Sequence, residues 1–497
     1  MAKFNQAVSD KITNHEGAEA FKLDNETELY SLVCTSMLED KFYEGKSAQI
    51  IRLRELIKKC RPEFVAKLAV YAREKMYLRS IPLVLVIELA KIHKGDNLVK
   101  RATQRVIQRA DELTEILAYY QAANPTKETK KLGKLSKQIQ KGIAEAFHKF
   151  DEYNFAKYNS GKEVKLKDAL FLTHPKPQND AEAALFKKIV DGTLETPLTW
   201  EVELSEAGKT GKDKKLVWEE MIDSKKFGYM AVLRNLRNML EANISTEHIK
   251  KVAMKLSDAQ EVAKSKQLPF RFLSAYKELK GNTNPHVSII MDALEEAIKQ
   301  SVVNLNGYDY DTAVCVACDV SGSMQTNISE KSKIRNYDIG LVLGMCLRNK
   351  CKSVITGIFG DTFSIENLPK ENILANTDML DHLSNKVGYS TNGYLVIDRL
   401  IKDNVKMDKV MIFTDCQMWD STYGGRASFN RSWSEYKKLF PGAKLYLFDL
   451  AGYGNTPVSM KGNGVYLIAG WSERIFEMLD AIEKGSSATK EIDKIEI

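Results

Sequence analysis

The sequence has few cysteines and no long apolar run, and these two features argue against a disulfide-rich protein and against a membrane-spanning one. Seven cysteines are spread over 497 residues, so a disulfide framework is not expected. Cys315 and Cys318 have the CxxC spacing of zinc ligands, but no second pair completes four ligands, and the seven histidines include no HExxH. The longest strongly apolar stretch, residues 81–87, is too short to cross a bilayer, and the first ten residues lack a signal-peptide run. We therefore expect a cytoplasmic protein that does not associate with membranes.

Length and charge distribution indicate at least two domains, one of them basic. A chain of 497 residues is too long for one hydrophobic core, and 44% hydrophobic with 28% charged residues is typical of a globular protein. Residues 51–150 hold 22 Lys and Arg against 10 Asp and Glu, a net charge of +12, whereas residues 301–497 hold 22 against 24. Such a local basic excess is typical of a well-solvated face or of a polyanion-binding surface.

Residues 25–300 have the pattern of consecutive helices, with little strand signal. Pro62 suits the first position of a helix, where its missing N–H costs nothing, and apolar residues follow at helical spacing as far as Met76. A second helix, apolar almost all round, is predicted from Ile81 and Pro82. Amphipathic and buried helices of similar length favour a stacked α-solenoid over a compact bundle.

The pattern changes near residue 310. Five short segments rich in β-branched or aromatic residues follow, separated by helical stretches: residues 313–320, 353–359, 409–414, 444–450 and 465–469. This alternation predicts a parallel, doubly wound α/β sheet. We therefore predict two domains, a helical-repeat module over residues 1–305 and an α/β domain over residues 306–497.

A polar motif ends the first strand of the predicted α/β domain. Asp319, Ser321 and Ser323 form a DxSxS motif, and open α/β sheets bind ligands at the carboxyl ends of their strands. One carboxylate and two hydroxyls are hard oxygen donors that suit Mg²⁺ or a similar cation. A tight strand-to-helix turn without a metal is the alternative interpretation.

The motif resembles the metal-ion-dependent adhesion site of von Willebrand factor A domains. In that family two further loops contribute, and the resemblance implies Thr391, before a helix, and Asp415, at the end of a later strand. The three hydroxyls would approach the metal directly and both aspartates mostly through water, so the metal could still take an acidic group from a partner. Tyr389 and Ser390 stand where relatives more often carry glycines. A two-metal nuclease would need clustered carboxylates, which this residue set does not match.

Two series of basic residues lie in the basic segment. Arg101, Arg105 and Arg109 are four apart and are predicted to share one helix face. A lysine stripe with 3-4-3-4 spacing follows: Lys127, Lys130, Lys134, Lys137 and Lys141. If its segment is helical throughout, the stripe is continuous, and a bound polyanion would offset the repulsion between its charges. The alternative is that both series are simply solvated helix faces. The sequence contains no RNP1-type sequence or CCHC knuckle, so it does not distinguish RNA from DNA or an acidic membrane as the ligand.

The order of several short motifs resembles the TROVE module of the Ro ribonucleoproteins over nearly the whole chain. The motifs are Asn14-His15-Glu16-Gly17, LEDKFYEG over residues 38–45, Lys157-Tyr158-Asn159, KDALFLTHPKP over residues 167–177, Leu233-Arg234-Asn235-Leu236 and Leu268-Pro269-Phe270. The resemblance implies an α-helical ring of HEAT-like repeats, followed by a von Willebrand factor A domain that joins its two ends.

The same resemblance implies the ligands. Ro-like proteins bind small structured noncoding RNAs (Y RNAs) on an outer basic surface and single-stranded ends of misfolded RNAs in the central hole. On this resemblance Lys157, His174 and Lys176 are expected to contact RNA. Without the resemblance, Lys157 would be interpreted as an ordinary surface lysine and His174 as a histidine in a turn. An exoribonuclease tethered through the RNA, or an acidic protein at the metal site, is the expected protein partner.

We therefore predict a noncatalytic, monomeric RNA-binding scaffold that acts in RNA quality control and holds a divalent metal, with Mg²⁺ expected. Two other hypotheses stay open. A protein-adhesion or assembly factor would capture its partner through the A-type domain and would retain no nucleic acid. A metal-dependent ribonuclease would cleave RNA and would lose that activity on Asp319→Ala.

Overall fold

The computed structural model describes residues 11–36, 44–124, 135–158, 164–195, 199–224, 227–267, 269–302, 312–328, 332–351, 353–420, 428–461, 464–470, 478–479, 481–482 and 484–497. The chain divides into two compact units. The sheet unit comprises Met1–Ile51, Val232–Glu241 and Thr246–Glu491, and the helical unit comprises Arg52–Ala231, Ala242–Ser245 and Ile492–Ile497. The predicted boundary between residues 305 and 306 lies outside the described residues and stays a prediction.

Consecutive helices occupy most of the described residues between 25 and 301, as the apolar periodicity predicts. The helices are α1 (Asn25–Cys34), α2 (Lys46–Lys59), α3 (Pro62–Glu74), α4 (Ser80–Ile92), α5 (Leu98–Val106), α6 (Glu112–Ala123), α7 (Lys137–Phe147), α8 (Glu152–Tyr158), α9 (Leu166–Thr173), α10 (Asp180–Asp191), α11 (Trp200–Thr210), α12 (Lys214–Asp223), α13 (Tyr229–Glu241), α14 (Thr246–Ser257), α15 (Ala259–Ser265), α16 (Pro269–Leu279) and α17 (Val287–Ser301). Helices α3 to α12 lie in the helical unit, and α14 to α17 lie in the sheet unit. Within the described part of the chain, no helix combines the length and the apolar content needed to cross a bilayer.

Both helices predicted from their prolines are present. α3 begins at Pro62 and buries Phe64 and Leu68 on its inner face. α4 is buried continuously over residues 81–90 because it packs against α3, α5 and α6. A helix enclosed by neighbours needs no polar face, which explains why this sequence is apolar almost all round.

The sheet unit is built on a six-stranded sheet. Its strands are β3 (Ala313–Asp319), β4 (Ser353–Phe359), β5 (Phe363–Ile365), β6 (Lys409–Thr414), β7 (Lys444–Asp449) and β9 (Val465–Ala469). The strand order is β5-β4-β3-β6-β7-β9; β5 pairs antiparallel with β4, and the other neighbours pair in parallel. The five predicted strands are confirmed to within one residue, and the short edge strand β5 was not predicted. The accompanying helices are α18 (Asn336–Lys350), α19 (Ile373–Leu383), α20 (Tyr394–Lys402), α21 (Phe429–Leu439) and a short helix at Ala488–Asp493.

Helices cover both faces of the six-stranded sheet. α20 and α21 pack on the face that carries Cys315 and Ala317. α18 lies on the opposite face, where Gly344 is so close that a Cβ there would lie 3.0 Å from Val316 Cγ1 and 3.1 Å from Cys318 Sγ. Successive strand residues point to opposite faces, so β3 is buried on both sides, and Cys315 and Cys318 do not share one zinc site. Helices on both faces of a mostly parallel sheet confirm the predicted α/β architecture.

An N-terminal hairpin adds a small second sheet to the sheet unit. β1 (Lys11–Thr13) pairs with β2 (Glu19–Lys22), and β2 pairs with β8 (Asn455–Thr456), both antiparallel. In the following helix α1, the Tyr30 hydroxyl accepts a hydrogen bond from the Ala469 N–H at 3.0 Å. The hairpin and α1 are therefore held against the carboxyl ends of the large sheet.

One expectation about the basic residues is wrong, and the condition for a continuous lysine stripe is not met, because helices begin or end elsewhere. α5 ends before Arg109, which therefore shares no helix face with Arg101 and Arg105. α7 begins at Lys137, after Ser136 in a non-helical conformation. The lysine stripe is therefore not one continuous helix.

Candidate functional site

The residues predicted to hold a metal come together at the carboxyl edge of the parallel sheet. Asp319 ends β3, and Asp415 directly follows β6, the hydrogen-bonded neighbour of β3. Ser321 lies in the turn after β3, and Ser323 opens a short 3₁₀ helix. Thr391 lies in the loop before α20. All five residues are buried, because each strand end is covered by the loops of its neighbours.

Backbone hydrogen bonds connect the loop of Thr391 to the two other loops. The Gly322 N–H donates to the Tyr389 carbonyl at 3.0 Å. The Trp419 N–H, in the loop after Asp415, donates to the Thr391 carbonyl at 3.2 Å. The three loops therefore form one backbone framework around the candidate site.

Glycines allow the Thr391 loop to approach the end of β4. Gly388 has a φ of +76°, and a Cβ at Gly360 would lie only 2.2 Å from the Gly388 carbonyl oxygen. The Ser390 N–H donates to Asp361 Oδ1 at 2.8 Å. The loop is thus held in place although Ser390 stands where relatives more often carry glycine.

The two carboxylates differ in their hydrogen bonds. Asp319 Oδ1 accepts from the Ser321 N–H at 2.9 Å, and its Oδ2 accepts from the Thr414 hydroxyl at 2.7 Å. Asp415 Oδ1 accepts from the Gln417 N–H at 3.0 Å. Asp415 Oδ2 is buried and accepts no hydrogen bond from the described residues. Because a buried polar atom without a partner is costly, this oxygen points to a further bound group.

The negative charge of these carboxylates also lacks compensation. Neither Asp319 nor Asp415 forms an ion pair with a lysine or arginine in the part of the chain that the structure describes. Burial raises the pKa of both carboxyl groups, and the charge of Asp319 raises the pKa of Asp415 further. A cation between them would relieve both the desolvation and the repulsion.

Hydroxyl groups complete the set of oxygen donors. Ser321 Oγ and Ser323 Oγ are 3.4 Å apart, and Thr391 adds a third buried hydroxyl. Among the described residues, no group of three or more His, Cys, Asp and Glu side chains is placed to hold a metal. The candidate metal site therefore consists of three neutral hydroxyls and two carboxylates. These are hard oxygen donors, which fit Mg²⁺ better than zinc. The role of these residues as metal ligands stays a prediction.

The N-terminal hairpin contacts the same edge of the sheet, which the sequence did not predict. Asn14 Nδ2 donates to the Met418 carbonyl at 2.8 Å, and the His15 N–H donates to Gln417 Oε1 at 3.0 Å. Gln417 Nε2 in turn donates to Asn455 Oδ1 in β8 at 3.1 Å. The Asn-His-Glu-Gly motif of the family resemblance was the available signal, but it did not indicate where the hairpin would bind.

In the helical unit, two of the predicted arginines are engaged by other parts of that unit. Arg105 Nε donates to Glu74 Oε1 at 2.9 Å. Arg101 Nη1 donates to the Ile497 carbonyl at 3.1 Å, and Arg105 Nη1 donates to the Glu496 carbonyl. Residues 496 and 497 thus lie along the two side chains, which are not an open basic face.

Arg109 and Lys157 converge on one tyrosine. Arg109 Cζ lies 4.6 Å from the centroid of the Tyr158 ring, and Lys157 Nζ lies 5.6 Å from the same centroid. Lys157 Nζ is also 5.6 Å from the centroid of Tyr153, and both Lys157 and Tyr153 are exposed. We call these four residues the Tyr158 cluster. Cations beside exposed aromatic rings suit the phosphates and bases of a single-stranded nucleic acid.

The remaining predicted RNA-binding residues are distributed over two helices that pack together. Lys137 and Lys141 are exposed on α7, and His174 and Lys176 are exposed just after α9. α7 packs against α9, and His174 ends α9 in a left-handed conformation with φ 51°. Three predicted residues lie outside the described part of the chain: Lys127, Lys130 and Lys134.

The sequence is similar to a described domain family and to curated proteins. The family model of the TROVE domain matches residues 21–193 and 192–295. Telomerase protein component 1 of Mus musculus is 26% identical in an alignment 335 residues long, and the match covers 50% of this chain and 12% of that protein. Telomerase protein component 1 of Rattus norvegicus is 25% identical in an alignment 354 residues long, and the match covers 54% of this chain and 13% of that protein. The match therefore spans a small part of these relatives.

The fold is also similar to a solved structure. The crystal structure of the Deinococcus radiodurans Ro (RSR) protein aligns with 93% of this chain and 100% of that chain, with a TM-score of 0.59 and 18% identity. At this identity the likeness concerns the fold, in which a helical region and a mostly parallel sheet occur together. Because the TROVE domain matches more than half of the sequence, this chain belongs to the TROVE domain family.

Proposed function

We propose that this chain is a noncatalytic RNA-binding protein that carries small structured noncoding RNA of the Y-RNA type. Single-stranded ends of misfolded RNA would enter the central hole of the ring that the Ro resemblance implies. Membership in the TROVE family supports RNA as the ligand, since the relatives include a Ro protein and a protein component of telomerase. The proposed role is that of a monomeric, cytoplasmic scaffold in RNA quality control.

The Tyr158 cluster is the observation that carries this proposal. Lys157 is exposed and forms no ion pair with a described residue, so its charge is available to a phosphate. The neighbouring rings of Tyr153 and Tyr158 offer surfaces on which unpaired bases stack. Arg109 is held by Asp111, with 3.0 Å between Nε and Oδ1, and keeps the Tyr158 ring in place. The cluster combines the two interactions that single-stranded RNA needs.

We further propose a divalent cation, Mg²⁺, at the carboxyl edge of the sheet, as in a von Willebrand factor A domain. The hydroxyls of Ser321, Ser323 and Thr391 would hold it, and Asp319 and Asp415 would act mostly through bound water. The unpartnered Oδ2 of Asp415 and the two uncompensated buried charges support this cation. When bound, the ion would supply a Lewis-acidic docking point for an acidic group of a protein partner, such as an RNA-tethered exoribonuclease.

The second candidate function is that of a protein-adhesion or assembly factor. It is favoured by the oxygen donors that come together at the carboxyl edge of the sheet. Such a protein would depend on the metal for partner capture and would retain no RNA. A metal-dependent ribonuclease is disfavoured, because two-metal cleavage uses clustered carboxylates and the donor set here is rich in hydroxyls.

The test is ultraviolet crosslinking of the full chain in cells, native isolation and sequencing of the RNA that accompanies it. Wild type should recover one or two abundant structured small RNAs, and Lys157→Glu should lose most of them. Lys187→Glu is the matched control, because Lys187 is an exposed lysine on α10 of the same unit, with 77% of its side chain exposed. RNA at background level in wild type would overturn the proposal. Protein captured instead of RNA, and lost on Asp319→Ala, would establish the adhesion function.

A further inference from the structure

The turn of the N-terminal hairpin is held by hydrogen bonds to the side chain of Asn14. Asn14 is buried, and its Oδ1 accepts from the Glu16 N–H at 3.1 Å and from the Ala18 N–H at 2.8 Å. Gly17 has a φ of +85°, a conformation that glycine adopts without strain. These contacts determine the direction of the backbone at Glu16, which is exposed at the tip of the turn.

This turn is attached to the loop that carries Asp415. Asn14 Nδ2 donates to the Met418 carbonyl at 2.8 Å, and the His15 N–H donates to Gln417 Oε1 at 3.0 Å. Gln417 is itself hydrogen-bonded to Asp415, through its N–H to Oδ1 at 3.0 Å. Two hydrogen bonds therefore connect His15, the residue before Glu16, through Gln417 to the candidate metal ligand Asp415.

Glu16 places a negative charge beside the same edge of the sheet. Its N–H is bonded to Asn14 Oδ1, and the two preceding residues, Asn14 and His15, are bonded to Met418 and Gln417 in the loop that follows Asp415. A third negative charge beside Asp319 and Asp415 is unfavourable unless a cation lies among them. The site as a whole is therefore arranged for a positively charged ligand on the side that faces the hairpin.

We propose that Glu16 is an intramolecular acidic ligand of the metal, supplied by the N-terminal hairpin. This inference rests on the proposed cation at Asp319, Ser321, Ser323, Thr391 and Asp415. Glu16 takes the position that the acidic group of a protein partner would otherwise occupy. Because a tethered carboxylate has a high effective concentration, a partner binds this metal only by displacing Glu16.

Metal binding by the full chain tests this inference without any activity assay. Mn²⁺ is the probe, since it replaces Mg²⁺ at hard-oxygen sites and free Mn²⁺ is counted by electron paramagnetic resonance. Glu16→Gln should weaken Mn²⁺ binding by roughly 10- to 100-fold, the loss seen when groups that support a metal site are removed. Excess acetate should restore much of the affinity in Glu16→Gln and should leave wild type unchanged.

Matched variants make the result specific. Glu19→Gln, on the same hairpin and paired with Lys11 at 2.7 Å, should bind Mn²⁺ as wild type does. Asp319→Ala should lose binding. If wild type and Glu16→Gln bind equally while Asp319→Ala does not bind, the role of Glu16 is refuted and the metal site stands. If wild type binds no more Mn²⁺ than Asp319→Ala does, the proposed metal site itself fails.

Discussion

The guanidinium of Arg109 lies over the ring of Tyr158, with 4.6 Å between Cζ and the ring centroid. Asp111 holds Arg109 by two hydrogen bonds of 3.0 and 3.1 Å, whereas Lys157 beside the same ring forms no ion pair with a described residue. Arg109 thus has a positioning role, and Lys157 has a charge available for a ligand. Removing the charge of Lys157 and removing the ring of Tyr158 should therefore have different effects on RNA binding.

Lys157→Gln should weaken binding of a small structured RNA and reduce its salt dependence. One lost phosphate contact lowers the slope of log affinity against log salt concentration by about 0.7 to 0.9. Affinity measured at several salt concentrations tests this. Lys187→Gln should keep the wild-type slope, and an unchanged slope in Lys157→Gln would place the phosphate contact elsewhere.

Tyr158→Ala should weaken RNA binding without changing the salt dependence, because the ring carries no charge. Loss of one stacked base costs about 1–3 kcal/mol, and the same titrations measure it. Tyr389→Ala is the control, since Tyr389 is a tyrosine with 52% of its surface exposed that lies in the sheet unit. Equal affinities for Tyr158→Ala and wild type would argue against stacking at this ring.

Asp415→Asn should have opposite effects with and without metal. In a chelator it should raise the thermal midpoint, because it removes a buried charge that no described cation compensates. With Mg²⁺ at 100 times its dissociation constant, wild type should gain about 2.7 kcal/mol and the variant should gain little. Thermal unfolding in Mg²⁺ and in chelator measures both effects.

Asp398→Asn, on α20 and partly exposed, is the control for that experiment and should respond to Mg²⁺ as wild type does. A wild-type midpoint that is the same in Mg²⁺ and in chelator would count against a metal at this edge of the sheet.

Gly360→Ala should disturb the Thr391 loop and weaken Mn²⁺ binding. The new Cβ would lie 2.2 Å from the Gly388 carbonyl oxygen, a backbone atom, so the loop must move; overpacking of this kind costs about 1–3 kcal/mol. Gly442→Ala has no atom within 4 Å of its Cβ and should be neutral. Urea unfolding and Mn²⁺ titration of both variants test the prediction, which is wrong if both behave as wild type.

Glu112→Ala should strongly destabilise the helical unit. Glu112 Oε1 accepts from Arg73 Nη2 at 2.8 Å, and both side chains are buried, so the variant leaves a buried unpaired charge at a cost of about 3–5 kcal/mol. Asp191→Ala breaks an exposed pair with Lys187 and should cost at most about 1 kcal/mol. The free energy of unfolding in urea distinguishes them; similar losses would mean that burial does not govern the Glu112 pair.

Local patterns in the sequence predicted five of the six strands of the large sheet but not every helix end. The predicted strands were β3, β4, β6, β7 and β9, and they were readable because runs of apolar, β-branched residues act over a few positions. Arg109 was wrongly assigned to the face of Arg101 and Arg105, because the chain leaves helical geometry at Ile107, with ψ near 108°. No glycine or proline marks that end. The turn is held by Glu112 Oε2, which accepts from the Gln108 and Arg109 N–H groups at 2.8 and 3.1 Å, and such a contact is not visible in spacing alone.

By itself, the sequence determined the helical character of residues 25–300, five strands of the large sheet and the placement of Asp319, Ser321 and Ser323 at a strand end. These features depend on hydrogen bonds and side-chain periodicity within a few residues. Only the tertiary structure decided that Asn14 meets Met418, since 404 residues separate them. It also decided that residues 496 and 497 lie along Arg101 and Arg105. Such contacts depend on the folded path of all the intervening chain, which no local pattern specifies.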